Sequence, residues 1–69
     1  MMKQPSIRTK TVYTCDGHRL EFVKVRNVPD FSHRVMIDDK PVDWLSDRFK
    51  PSRDTAAFFF HKHVLQEQP

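Results

Sequence analysis

The sequence predicts a small α+β domain: an antiparallel meander of three or four strands that packs against one C-terminal helix. Three observations predict it. An Asp-Gly pair at residues 16–17 lies between two segments rich in Thr, Val, Tyr and Phe, an alternating segment follows Pro29, and an amphipathic segment follows Pro51. With 69 residues the chain forms at most one domain, which we place at residues 7–69 behind a flexible N-terminal arm at residues 1–6.

The Asp16-Gly17 pair predicts a two-residue hairpin turn, because both central positions of such a turn need positive φ. A two-residue turn fixes the pairing, so that the numbers of opposite residues sum to 33. Side chains alternate between the two faces of a sheet. The face expected to form the core carries Ile7, Thr11, Tyr13, Leu20 and Phe22. The other face carries Arg8, Lys10, Val12, Thr14, Arg19, Glu21, Val23 and Val25.

Pro29 cannot donate a ladder hydrogen bond, so the second strand should end before it. Residues 33–37 alternate again and predict a third strand; if Val35 and Ile37 join the core, Arg34 and Met36 lie on the opposite face. Residues 38–41 have the composition of a turn. Residues 42–45 fit either a short fourth strand or a helical turn, and in both cases Trp44 is expected to anchor the core.

The last segment predicts a helix from about Arg53 to about Gln66, with Ser52 or Asp54 as its N-cap. A strand over residues 56–65 is the alternative, but Lys62 interrupts its alternation. On the helix, one sector collects most of the apolar side chains and should cover the sheet: Ala56, Ala57, Phe59, Phe60, His63 and Val64. Phe58 and Leu65 lie together on the far side and remain exposed unless a partner covers them.

Composition removes several classes of protein. The single Cys15 excludes an internal disulfide, and the polar first residues do not resemble a secretory signal, so we expect a cytoplasmic protein. The longest apolar run spans residues 56–60, far short of the roughly 20 residues that cross a membrane. One glycine cannot build a phosphate-binding loop, so no cofactor is predicted.

Catalysis and metal binding have weak signals. Cys15 and His18 flank the hairpin turn and form the smallest arrangement for nucleophilic chemistry, but a working site needs further groups and a cleft. His61 and His63 point in different directions on a helix and cannot share an ion there. We therefore predict neither an enzyme nor a metal site.

Protein binding is the function that the pattern favours: a small regulatory protein of the adaptor or inhibitor type, with a homodimer as a further option. Valines and a methionine ringed by arginines would form an apolar centre with a charged rim, as protein interfaces do. The outer side of the helix offers a second patch. The predicted contact residues are Val12, Val23, Val25, Met36, Phe58 and Leu65.

Nucleic-acid binding is the alternative. The charge is distributed unevenly along the chain. Residues 1–26 carry six basic and two acidic residues, while residues 27–69 carry six basic and seven acidic residues. The basic residues predicted to contact phosphates are Lys3, Arg8, Lys10, Arg19 and Arg34. Sheets that bind single strands usually present aromatic rings, and no ring is expected on this face.

Overall fold

The computed structural model describes residues 10–66, which form one four-stranded antiparallel sheet and one C-terminal helical segment. The strands follow one another in the order β1-β2-β3-β4, so the predicted α+β meander against a helix is confirmed. The predicted arm at residues 1–6, which includes Lys3, lies outside the described residues. Ile7 and Arg8 also lie outside them. The elements are β1 (Lys10–Cys15), β2 (His18–Lys24), β3 (Phe31–Ile37), β4 (Lys40–Ser46), helix α1 (Arg53–Phe60) and a π-helical turn (His61–Leu65).

The first hairpin has the predicted register. Cys15 lies opposite His18, and the pairing continues to Thr11 opposite Phe22. Asp16 and Gly17 both have positive φ, 50° and 83°, as the tight turn requires. Asp38 and Asp39 form a second turn with positive φ at both residues, and aspartate tolerates this region better than most side chains. The chain enters β4 directly after it, so residues 42–45 belong to a strand.

The core lies between the sheet and α1. Its buried side chains come from three strands and the helix: Leu20, Phe22, Val35, Ile37, Leu45, Ala56 and Phe59. Tyr13, Cys15, Val42, Phe60 and Val64 pack around them with partial burial. The predicted core face of the hairpin is therefore confirmed for Tyr13, Leu20 and Phe22.

A capping box begins α1. The Ser52 hydroxyl accepts a hydrogen bond from the Thr55 backbone N–H, and the Thr55 hydroxyl accepts one from the Ser52 N–H. This confirms Ser52 as the N-cap and excludes the strand alternative. On the side of the helix that was predicted to cover the sheet, Ala56 and Phe59 are buried. Ala57 is exposed, so the prediction that Ala57 lies on the covered side was wrong.

Trp44 does not anchor the core, and a β-bulge explains why. Met36 pairs with Pro41, but Val35 pairs with Asp43, so Val42 is the extra residue. Without that residue Trp44 would face the helix; with it, every later side chain of β4 changes face. Trp44 consequently pairs with Arg34 on the side of the sheet that α1 does not cover.

Candidate functional site

The uncovered side of the sheet, here called the open face, carries two rows of paired side chains. One row runs Lys10, Val23, Arg34, Trp44 across the four strands. The next runs Val12, Glu21, Met36, Pro41. Apolar and charged groups alternate in the first row and over the first three members of the second row, which ends with the apolar neighbours Met36 and Pro41. The predicted outward placement of Arg34 and Met36 is confirmed.

A shallow depression of about 650 Å³ lies in the open face, and we call it the sheet depression. Three of the predicted contact residues, Val23, Val25 and Met36, line it together with Val28. Its charged lining is four bases and one acid: Lys10, Glu21, Lys24, Arg26 and Arg34. The end of β2 and the loop that follows form one wall, while β3 supplies Arg34 and Met36. The structure thus brings together residues that are 26 positions apart in the sequence.

Glu21 lies near the centre of the open face and is the buried charged residue among the described ones, with 7% of its surface exposed. Its carboxylate lies 3.0 Å from Arg19 Nε and 3.7 Å from Lys10 Nζ. Arg19 also pairs with Asp39, whose hydrogen bond and charge raise the pKa of the guanidinium. Two of the bases predicted to contact nucleic acid are therefore already neutralised by carboxylates.

Arg34 stacks on the indole of Trp44, with its guanidinium carbon 4.1 Å from the ring centroid. The Phe31 ring lies beside the same indole at 5.7 Å between centroids. Aromatic rings therefore do lie on the open face, contrary to the sequence-based expectation. The prediction failed because the bulge at Val42 has no recognisable signal in the local sequence. This bulge turns Trp44 outward.

The predicted protein-contact residues divide between two surfaces. Val12, with 45% of its surface exposed, shares the open face with the depression but does not line it. Phe58 and Leu65 are 60% and 49% exposed on the helical segment, as expected. They were predicted to lie together, but Phe58 lines two depressions to which Leu65 does not contribute. The π-helical turn, closed by a hydrogen bond from Gln66 N–H to His61 O, rotates Leu65 away from the position an α-helix would give it.

A second concavity, the aromatic groove, was not predicted. It has a volume of about 510 Å³ and lies between β4 and α1. Phe31, Phe49 and Phe58 are 40%, 59% and 60% exposed there, and Trp44 contributes one wall. Phe49 was the signal in the sequence that could have indicated this groove. It is a phenylalanine in a turn, between Arg48 and Lys50, and it belongs to no amphipathic element.

The hairpin tip does not form a Cys-His pair. The Nδ1 atom of His18 lies 2.6 Å from Asp38 Oδ2, and its ring lies against Phe60. The Cys15 side chain packs at the edge of the core. The hydrogen bonds from His18 and from the Arg19 backbone lower the pKa of Asp38. His18 is thus oriented toward a carboxylate on the neighbouring turn and not toward the thiol.

Asp43 links the sheet to the π-helical turn. Its Oδ2 atom lies 2.7 Å from His63 Nε2 and 3.1 Å from Lys62 Nζ, and its Oδ1 accepts the Trp44 N–H. Partial burial raises the pKa of Asp43, but the hydrogen bonds from these three groups outweigh it and lower the pKa overall. Successive side chains of a π-helical turn are separated by a smaller angle than the roughly 100° of an α-helix, which helps Lys62 and His63 reach one carboxylate.

Over residues 10–66, no helix is long and apolar enough to cross a membrane. No protein-family model matches the chain, and neither a curated protein nor a solved structure is significantly similar to it.

Proposed function

We propose that this chain is a small non-enzymatic binding protein that occupies a surface of a larger protein partner, as adaptors and inhibitors do, and that the open face makes the contact. The observation that carries the proposal is the sheet depression. Val23, Val25, Val28 and Met36 form its apolar lining, and charged groups surround them. An apolar centre with a polar rim is the usual anatomy of a protein interface.

The charges around the depression favour an acidic partner surface. Lys10 is paired with Glu21, whereas Arg26 and Arg34 form no ion pair with any residue of the described range 10–66. Two cations without an ion-pair partner beside apolar side chains complement carboxylates that flank an apolar anchor. Such a rim directs the approach and orientation of a partner more than it adds affinity, which comes mainly from the apolar centre.

The position of the Glu21 carboxylate at the centre of the open face fits a protein partner better than a nucleic acid. A phosphate backbone that crosses the open face would meet this carboxylate at the centre, and its approach would have to break the contacts of Glu21 with Lys10 and Arg19. Affinity for nucleic acid depends on the number of free cations that neutralise phosphates. Two of the three predicted bases in the described range are not free.

The proposal is tested by affinity capture from a nuclease-treated native lysate at moderate salt, with the full chain as bait. We expect a specific protein to bind the wild type and to be lost with Val23→Glu, which places a charge in the apolar lining. Thr14→Glu is the matched control, because Thr14 is exposed on the same face but outside the depression. Capture that is equal for all three baits, or absent with the wild type, contradicts the proposal.

Nucleic-acid binding is the second candidate function, and the stacked Phe31, Trp44 and Arg34 side chains favour it. The exposed Phe31 ring and the half-buried Trp44 indole lie beside an arginine, and bases can stack on such a group of rings. The test is fluorescence anisotropy of a labelled mixed-sequence single-stranded DNA at low salt. This function predicts affinity that falls steeply with salt and drops with Trp44→Ala; no binding at low salt removes it.

A further inference from the structure

The outer side of α1 carries a pattern that fits a second copy of this chain. Asp54, Phe58 and Lys62 are spaced four residues apart, so they follow one another along one side of the helical segment. All three line the aromatic groove on one flank and a further depression of about 580 Å³ on the other. Phe58 therefore forms a ridge between two concavities, with an acid on one side of it along the helix and a base on the other.

We propose that two copies associate through antiparallel packing of their α1 helices about a two-fold axis near Phe58. In a two-fold interface the same patch faces itself, so the patch must be self-complementary. Antiparallel packing brings Asp54 of one copy opposite Lys62 of the other, and does so twice. The sheet depression does not take part in this contact, although the aromatic groove beside α1 is also lined by Phe31 and Trp44 at the edge of the open face.

The shape of the patch, like its charge pattern, fits a second copy of the same patch. Ala57 is exposed and lies beside Phe58 in the lining of the second depression, where its small side chain leaves space for a ring. Phe58 of each copy can enter that depression on the other copy. The ring is held for this role by an edge-on contact with the buried Phe59, at 5.1 Å between centroids.

Asp54 is available for the contact across the two-fold axis. It is exposed and forms no ion pair with any residue from Lys10 to Gln66. Lys62 is half exposed and already contacts Asp43 on one side, which fixes its position beside the groove. An ammonium with three donors can bind a second carboxylate while it keeps the first.

The area available for burial predicts a reversible dimer. The exposed parts of Phe31, Phe49 and Phe58 amount to roughly 300 Å² per copy, taking about 200 Å² for a whole phenylalanine side chain. Stable interfaces bury roughly 800 Å² per partner, so the rings supply less than half of that area and the flanking helix and turn must supply the rest. A small domain with seven buried apolar side chains within residues 10–66 also gains stability from association.

Sedimentation equilibrium of the full chain over a wide concentration range tests the proposal. We expect the average mass to rise from 8.3 kDa toward twice that value, with half-association at roughly micromolar to hundred-micromolar concentration. Phe58→Ala should raise the dissociation constant at least tenfold. Leu65→Ala is the matched control, since Leu65 is similarly exposed but lines neither concavity, and it should leave association unchanged.

A charge-exchange experiment tests the orientation. Asp54→Lys alone and Lys62→Asp alone should each weaken self-association, because each variant places like charges opposite one another twice. An equimolar mixture of the two variants should recover association, since both contacts are then between opposite charges. A wild type that stays monomeric at every concentration overturns the proposal, as does association that is insensitive to Phe58→Ala or a mixture that does not recover. Loss of capture by Val23→Glu bears only on the open face, so the two proposals fail separately.

Discussion

The two faces of this sheet come from the same alternating strands but have opposite character. The helix-covered face holds the fully buried Leu20, Phe22 and Val35, and the carboxylate of Asp43 on this face has three hydrogen-bonding partners. The open face mixes valines and a methionine with bases around Glu21. Both faces are ordered, but the first is organised by apolar packing and the second by charge pairs. This difference indicates that the first face maintains the fold, and it is the second face that we propose as the contact surface.

Truncation of a core side chain should have the largest effect on the stability of the fold. Phe22 is completely buried and contacts Tyr13 and Phe59 edge-on. Phe22→Ala should therefore destabilise the fold by about 3–5 kcal/mol, which is most of the stability that a domain of this size can have. Val12→Ala on the open face is the control and should change stability by less than about 0.5 kcal/mol. Urea unfolding followed by circular dichroism measures both, and equal effects would contradict the division between the faces.

Removal of the Asp43 charge should have an intermediate effect that depends on pH. Asp43→Asn should cost about 1–2 kcal/mol at neutral pH, because it weakens charge-assisted hydrogen bonds to Lys62 and His63. The pKa of Asp43 is lower in the folded state, so its contribution is present above the unfolded pKa near 4 and is lost as the pH falls through the folded pKa. Thermal unfolding from about pH 5 to about pH 3 should therefore show a smaller loss of stability for Asp43→Asn than for the wild type. Parallel losses would show that this carboxylate is not responsible.

Glu21 provides a test of the open face itself. Glu21→Gln keeps the side-chain shape but leaves Lys10 and Arg19 without this carboxylate, at a cost of about 1 kcal/mol. The freed cations should increase retention on an immobilised polyanion such as heparin at low salt. Gln66→Glu, a charge change in the opposite direction at an exposed position away from the open face, serves as the reference for net charge. Unchanged retention of Glu21→Gln would show that Glu21 does not limit anion binding.

The stacked pair on the open face should give the smallest effect. Arg34→Ala removes the guanidinium from the Trp44 ring and should destabilise the fold by only about 0.5–1 kcal/mol, the range for an exposed cation–π contact. Trp44 is the sole tryptophan, so its fluorescence reports directly on the change. Arg34→Lys retains the charge and should shift the emission less. Identical spectra for all three proteins would contradict the stacked geometry.

Local signals in the sequence predicted much of this fold. Asp16 and Gly17 determined the first turn and, with it, the pairing of Cys15 with His18 and the two faces of the hairpin. The Ser52 cap and the spacing of Ala56 and Phe59 predicted the helix and its buried side. These features depend on the conformations of neighbouring residues, so a short stretch of sequence is enough to specify them.

Tertiary structure alone decided where the aromatic side chains outside the core lie. The extra residue at Val42 arises from the pairing of β4 with β3, and it turns Trp44 onto the open face. The aromatic groove likewise gathers Phe31, Phe49 and Phe58 from a strand, a turn and a helix. Sequence periodicity tells which side of its own element a residue occupies, but a bulge or a π-helical turn resets that side, and only the packing of distant segments determines where the reset falls.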